Sequence, residues 1–183
     1  VYMSYDDGDH WSSLSLNLPD LPVSDLIVWR NDLAISTHGR GFYILDNVVP
    51  LEQNTPAVEA APDAWLYAPP AAIRSTDGAT ITYWLKHPAQ QVTLEILDGT
   101  GHVIRTYKPD TTNGAARRGR GGFGRFGPSA PPKTEGVNHF TWDLRYEPAK
   151  SFDGMILWGG STQGPAAPPG RYTVRLLADR HTL

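Results

Sequence analysis

Turn-forming residues constrain this chain more than any other feature of its sequence. Its 183 residues include 18 glycines and 16 prolines, together about 19% of the chain against roughly 12% in average usage. Proline interrupts helix interiors and central strands, and glycine supplies the backbone angles that tight turns need. Long helices are therefore disfavoured, and the sequence predicts an all-β protein built from short strands.

Composition and charge exclude several classes of function. Hydrophobic residues make up 40% of the chain, the net charge is −3 and the pI is about 6.0, so no overall positive field attracts nucleic acid or an anionic membrane. The absence of cysteine excludes disulfides, thiolate metal sites and a cysteine nucleophile. Because no apolar run approaches the roughly 18 residues of a transmembrane helix, we expect no membrane span.

Short apolar runs separated by turn residues at close intervals predict two β regions. In the first region the predicted strands are residues 1–4, 11–16, 24–30, 32–37 and 41–46, with a two-residue hairpin turn at Asn31 and Asp32. In the second they are residues 80–85, 92–96, 102–107, 139–144 and 170–178. Five strands with two long loops suit an immunoglobulin-like sandwich.

Two segments between the predicted strands differ in composition. Residues 49–72 contain five prolines and are predicted to form a stiff connector, with a domain boundary near residue 55. Residues 113–132 carry four arginines, many glycines and no acidic residue, which predicts a disordered loop. The same tract resembles RNA-binding Arg-Gly segments, but the negative net charge favours a tolerated loop, and we expect no nucleic-acid partner.

The residues S-Y-D-D-G-D-H-W at positions 4–11 fit the pattern S-x-D-x-G-x-x-W, known as the Asp box. Ser4 and Asp6 can hydrogen-bond the backbone of a tight turn, and Gly8 can take a positive φ angle. Trp11 is expected to fold back over the sheet edge as a buried aromatic residue. Position 10 usually holds threonine, so His10 puts one side-chain hydrogen bond of the motif in question.

A calcium loop is the alternative interpretation of these acidic residues. It would use Asp6, Asp7 and Asp9, and it requires further ligands at alternate positions and a glutamate twelve residues after the first ligand. The sequence lacks that glutamate. We therefore expect a structural role for the motif, with no metal and no cofactor.

The Asp box and the segments that follow it resemble the sortilin-like BNR-repeat β-propellers of bacterial exported proteins. The likeness runs through T-H-G-R-G-F at 37–42 and W-D-L-R-Y at 142–146 to P-P-G-R-Y-T-V-R at 168–175. Many members are named glycosyl hydrolases by similarity to sialidases and xyloglucan-cleaving propellers. The resemblance implies secretion to the periplasm, the cell surface or the medium.

The resemblance also implies a division of the chain. Residues 1–54 would be the terminal propeller blade region, incomplete because the preceding blades lie upstream, and residues 55–78 the connector. Residues 79–183 would be an immunoglobulin-like sandwich that contains the disordered loop at 113–132 and lacks its last strand. The upstream blades of the same protein would then be a structural partner.

No catalytic residue is assigned. A glycosidase needs two carboxylates across the scissile bond, and the available acids, which are Asp25, Asp32, Asp46, Glu52 and Asp143, all lie at predicted strand ends and turns. We expect a non-catalytic portion of an exported propeller protein that binds protein or glycan, or serves as a scaffold. The alternative is an accessory part of a glycoside hydrolase whose active site lies in the upstream blades.

The segment around His38 and Arg40 is the strongest candidate ligand site. In a propeller, loops between strands line one mouth, where these side chains could hold a carboxylate or a sugar hydroxyl. The alternative is a glycine-dependent turn in which Arg40 caps carbonyl groups or pairs with Asp46.

Aromatic residues offer a second possible glycan site. A platform for sugar stacking could be formed by Trp65, Tyr67, Trp84, Trp142 and Trp158. Because most of these residues lie in alternating strands, core packing is the favoured interpretation.

Overall fold

The protein is all-β, as its composition predicts. The computed structural model describes residues 1–54, 58, 60–73, 78–109, 130–150, 160–179 and 181–183. Among these described residues, strand makes up 41% and helix 3%. The chain divides into two compact units, residues 1–53 and residues 54–183. Most of the predicted loop at 113–132 lies outside the described residues, as does Trp158.

The first unit contains two small antiparallel sheets. Strands β1 (Tyr2–Met3) and β2 (Ser12–Ser13) form a hairpin, and β3 (Val23–Trp29), β4 (Asp32–Thr37) and β5 (Gly41–Leu45) form a sheet in that order. All five predicted strands form, although the first two are shorter than expected. A short helix, α1 (Val49–Glu52), follows.

The predicted hairpin turn between β3 and β4 is wrong by one residue. Trp29 pairs with Asp32 across the two strands, so the turn consists of Arg30 and Asn31. Arg30 carries the positive φ angle, 56°. The Asp32 side chain instead accepts a hydrogen bond of 2.9 Å from the backbone N–H of Asn47, which fixes this residue at the start of β4.

The core of the first unit lies on one face of its three-stranded sheet. Leu33 and Ile35 point to this face from β4 and pack with Val48. Partly buried apolar side chains complete the cluster: Val1, Leu14, Leu18, Val23, Leu45 and Leu51. Only three side chains of this cluster are buried, because a single sheet and a short hairpin provide little covering surface.

The second unit contains two further antiparallel sheets. Its strands are β6 (Ala64–Leu66), β7 (Ala79–Leu85), β8 (Val92–Leu97), β9 (Val103–Tyr107), β10 (Gly136–Trp142), β11 (Thr173–Ala178) and β12 (His181–Thr182). One sheet has the order β10-β7-β6 and the other the order β12-β11-β8-β9. Neither β6, which lies within the predicted connector, nor the two-residue β12 is among the strands predicted from the sequence.

The two sheets of the second unit share one hydrophobic core. Alternate residues of β7 and β8 are almost fully buried, among them Tyr83 at 0% and Leu94 at 0% exposure. Leu176 of β11, opposite Leu94 in the ladder, is also 0% exposed. Burial raises the pKa of the Tyr83 hydroxyl, which donates a hydrogen bond to the carbonyl oxygen of Pro132.

The predicted core role is confirmed for two of the aromatic residues considered for a sugar platform. Tyr67 and Trp142 are each 4% exposed. Trp65 and Trp84 are half-buried and pair directly across β6 and β7. The alternation of side chains along β7 places this pair on the face opposite Tyr83.

Candidate functional site

The Ser4–Trp11 turn is held by side-chain hydrogen bonds to its own backbone. The Ser4 hydroxyl oxygen accepts a bond of 2.9 Å from the N–H of Gly8 and donates one of 2.8 Å to Asp6 Oδ1. Gly8 has a φ angle of 101°, which an L-amino acid side chain disfavours. The residues of the S-x-D-x-G-x-x-W pattern therefore meet in one turn.

His10 contacts the carboxylate of Asp6 through two of its atoms. Its backbone N–H donates to Asp6 Oδ1 at 2.8 Å, and its ring Nδ1 lies 2.5 Å from Asp6 Oδ2. These contacts hold the pKa of Asp6 below its usual value, and the backbone hydrogen bond from His10 contributes most. His10 thus supplies a side-chain contact at the position where threonine is usual.

The expectation that Trp11 is buried is wrong. The indole is 62% exposed, and its Nε1 donates a hydrogen bond of 2.8 Å to the carbonyl oxygen of Gly8. An added Cβ at Gly8 would lie 3.6 Å from the indole ring. Trp11 therefore packs on the turn itself and contributes little to a core.

No metal centre is assembled within the described part of the chain. The Asp6 carboxylate accepts hydrogen bonds from the Ser4 hydroxyl and from the backbone N–H of His10. No group of three or more histidine or acidic side chains in a metal-binding arrangement occurs among the described residues.

His38 and Arg40 are exposed on the turn between β4 and β5. Gly39 and Gly41 have φ angles of 89° and 73°, and the Thr37 hydroxyl donates a bond of 2.8 Å to the carbonyl of Gly41. Within residues 1–54 Arg40 forms no ion pair with Asp46. The turn presents both side chains to solvent and brings no further candidate residue beside them.

Three of the candidate carboxylates have local structural partners. Asp25 accepts a hydrogen bond of 2.9 Å from the N–H of Leu26, and Asp32 is bonded to Asn47. Asp143 Oδ1 accepts bonds from the hydroxyl of Tyr107 at 3.1 Å and from the N–H of Arg145 at 3.2 Å. Asp32 and Asp143 thus bind a strand start and a turn, and Asp25 lies within β3 where its pairing with β4 is irregular.

Asp143 belongs to a polar cluster at the edge of the second unit's core. Burial raises the pKa of Tyr107, its hydrogen-bond partner. The guanidinium of Arg105, a residue only 6% exposed, lies 4.9 Å from the centre of the Tyr107 ring. Its Nη1 donates a bond of 3.3 Å to the carbonyl of Tyr146, so the cluster ties β9 to the segment after β10.

One face of the β3-β4-β5 sheet is apolar and exposed, which was not predicted from the sequence. The register places Ile27, Ala34 and Ile44 in one row across the three strands. Trp29 and Phe42 lie on the same face, which we call the outer face. Exposure reaches 79% for Phe42, 68% for Trp29 and 64% for Ile44. The continuous run L-I-V-W at 26–29 carried the signal, because a strand with one wet face alternates apolar and polar residues.

A second missed feature joins β12 to the segment before β6. His181 Nε2 lies 2.9 Å from Asp63 Oδ2. Nearby, the carboxylate of Asp179 accepts backbone N–H bonds from Gln90 and Gln91 at 3.0 Å and 2.8 Å. These residues line a cleft of about 500 Å³. These contacts connect the ends of two sheets.

Comparison with known proteins identified no relative of this chain. No protein-family model, no curated protein and no solved structure matches the chain significantly. Among the described residues, no helix has the length and apolar character to cross a bilayer. The fold alone defines the class of this protein: it is all-β, with two compact units and small antiparallel sheets.

Proposed function

We propose that this chain is a non-catalytic, C-terminal portion of an exported Asp-box β-propeller protein and that it acts in binding or scaffolding. Two observations support this proposal. Residues 4–11, 37–42, 142–146 and 168–175 resemble segments of that family, and side-chain hydrogen bonds of Ser4 and Asp6 hold the Ser4–Trp11 turn. In this proposal the first unit is propeller blade material and the second an immunoglobulin-like sandwich.

The observation that carries the proposal is the outer face of the β3-β4-β5 sheet. Large contiguous apolar surfaces mark interaction sites, and a sheet whose two faces are both apolar fits between two other layers. Leu33 and Ile35 are covered on the inner face, whereas Phe42 and Trp29 are exposed on the outer one. A neighbouring β-sheet, such as the next blade of a propeller, has the shape and apolar character to cover it.

This surface favours a protein partner over a glycan. Sugars are bound by combining an aromatic ring with polar groups. The outer face carries two exposed rings, Trp29 and Phe42, but the wholly aliphatic row of Ile27, Ala34 and Ile44 lies between them and makes its centre apolar. The glycan alternative depends on His38 and Arg40. Both partners belong outside the cytoplasm if the protein is exported.

The interaction role is tested by changing the outer face. In sedimentation velocity we expect the wild-type chain to associate with rising concentration, because apolar surface is removed from water. The double variant Phe42→Ser, Ile44→Ser should remain monomeric. A matched control is Ile73→Ser, which changes an equally exposed isoleucine of the second unit, at 66% exposure, and should associate like the wild type.

Two results would count against the proposal. A wild-type chain that stays monomeric at all concentrations would show that the outer face needs no partner. Glycan-array binding that disappears in His38→Ala or Arg40→Ala, but survives the outer-face changes, would assign the binding role to the β4–β5 turn.

The non-catalytic part is tested separately. We expect no hydrolysis of aryl glycosides above a heat-denatured control, since the three bonded carboxylates hold local structure. Turnover that is lost in Asp25→Asn or Asp46→Asn would contradict this expectation.

A further inference from the structure

The second unit contains a cleft of about 540 Å³ between two proline-rich segments. Residues 69–72 form one wall, and residues 167–172 form the other. The floor is apolar and is built from Ile81, Trp142 and Leu144. Binding sites for small molecules span about 300–1,000 Å³ and are lined mainly by apolar and aromatic side chains, so this cleft has the size and lining of such a site.

Proline content and local contacts restrict the walls of the cleft. Proline restricts the backbone of both segments, and the Tyr172 hydroxyl donates a bond of 2.7 Å to the carbonyl of Pro168. The rings of Trp142 and Tyr172 pack edge to face with centroids 5.1 Å apart. A cleft that exists before binding costs little ordering entropy when a ligand enters.

The polar atoms of the aromatic lining are already used within the protein. Trp142 Nε1 donates a bond of 3.0 Å to the carbonyl of Arg145, and the Tyr172 hydroxyl is bonded to Pro168. These two residues therefore offer a ligand their apolar ring surfaces. Recognition of a polar group must come from another member of the lining.

Arg171 is the charged residue of the described lining. It is exposed, and its guanidinium has no ion pair or hydrogen bond recorded within the described ranges of the chain. A guanidinium binds a carboxylate in a planar, bidentate geometry. We propose that the cleft binds a small molecule with an apolar, ring-sized body and one carboxylate group.

The proposal is independent of the interaction role, because the cleft and the outer face lie in different units. Its test uses naphthoate and naphthamide, which have the same ring system and differ in charge. With the whole chain, we expect calorimetric titration to show naphthoate binding at least about tenfold more tightly than naphthamide, the size of one charge-assisted hydrogen bond. The charge preference is the measured signature of Arg171.

Three variants locate the binding. Arg171→Gln should reduce the affinity for naphthoate to that for naphthamide, while Lys86→Gln, which removes an exposed cation of the same unit outside the cleft, should keep the preference. Ala72→Trp should fill the cleft from its exposed rim and abolish binding of both molecules. Circular dichroism establishes that each variant is folded.

The inference is overturned by any of three results. One is that neither molecule binds the folded wild-type chain. A second is that both bind equally well, and a third is that Arg171→Gln or Ala72→Trp leaves naphthoate affinity unchanged.

Discussion

The two units of this protein differ in how their apolar sheets are covered. In the second unit the two sheets cover each other, and side chains such as Tyr83, Leu94 and Leu176 are fully buried. In the first unit only part of one face is covered: Leu33 and Ile35 of β4 are 7% exposed, whereas Leu26 and Val28, opposite them on β3, are each 54% exposed. The comparison indicates that the second unit carries its own core, whereas the first depends on whatever covers its outer face.

The units nevertheless share a local device. In each, an aspartate accepts the backbone N–H of a histidine four residues later, Asp6 from His10 at 2.8 Å and Asp98 from His102 at 3.0 Å. Asp98 also accepts the Thr100 hydroxyl at 2.6 Å, which is the main reason that its pKa is lowered. Similar turns therefore occur in both units, and the difference between the units lies in the packing above the turns.

The largest expected effect is the loss of a core side chain in the second unit. Leu94→Ala should lower the free energy of unfolding by about 2–5 kcal/mol, because the surrounding sheets close only partly over the cavity. Chemical denaturation followed by circular dichroism measures the change. Val103→Ala, at a side chain that is 45% exposed, is the matched control and should cost under about 1 kcal/mol. Equal effects would break the comparison between covered and exposed positions.

A smaller effect is expected at Trp11. Because the indole is 62% exposed and donates one hydrogen bond, Trp11→Ala should destabilise the first unit by about 1 kcal/mol. Trp142→Ala, at a residue only 4% exposed, should cost roughly 3–5 kcal/mol. Unfolding monitored separately in each unit by NMR amide intensities decides the order. A loss above about 3 kcal/mol at Trp11 would show that the residue is buried in solution.

Acid should weaken both aspartate turns in parallel. The folded-state pKa of Asp6 and of Asp98 lies below the reference value of 3.8. The ionised form is thus favoured by folding, and its stabilising contribution is present above that value and is lost as pH falls through the folded-state pKa. The amide resonances of His10 and His102 should titrate with midpoints below 3.8. Asp6→Asn should remove the titration at His10 and leave that at His102.

The smallest effect is expected at position 10. His10→Thr should change stability by less than about 0.5 kcal/mol, since the backbone bond to Asp6 persists and the histidine ring is exposed. Thermal melting at neutral pH measures it. A clear loss of stability would mean that the contact between the ring and Asp6 is worth more than exposed pairs usually are.

Alternation of apolar and polar residues in the sequence predicted most of the strands. Alternation along residues 92–96 and 139–144 predicted half-buried strands; β8 covers the first, whereas β10, at Gly136–Trp142, starts before the second and ends two residues short of it. Strand β6 was not predicted because its three residues lie among prolines. They form a strand by pairing with β7, which begins thirteen residues after β6 ends. Two-residue β12 is too short for a pattern to be recognised.

Exposure and clefts were harder to predict than strands. The sequence pattern around Trp11 predicts a turn. Whether the indole is buried depends on which distant residues pack against it, and a local pattern does not contain that information. The outer face escaped for the same reason, although the run at 26–29 carried a signal. The cleft beside Arg171 joins residues 69–72 to residues 167–174, which are about a hundred residues apart, so no local sequence pattern could predict it.

The central position of β8 in its sheet has a consequence for synthesis on the ribosome. Strand β11 pairs with β8 and places Leu176 opposite Leu94, and Arg175 donates a hydrogen bond to Glu95 across a separation of 80 residues. Pairings this distant in sequence form slowly. Strand β9 can pair with one edge of β8 early, but until residues 173–178 have emerged from the exit tunnel the other edge of this apolar strand is unpaired, and such exposed edges are what molecular chaperones protect.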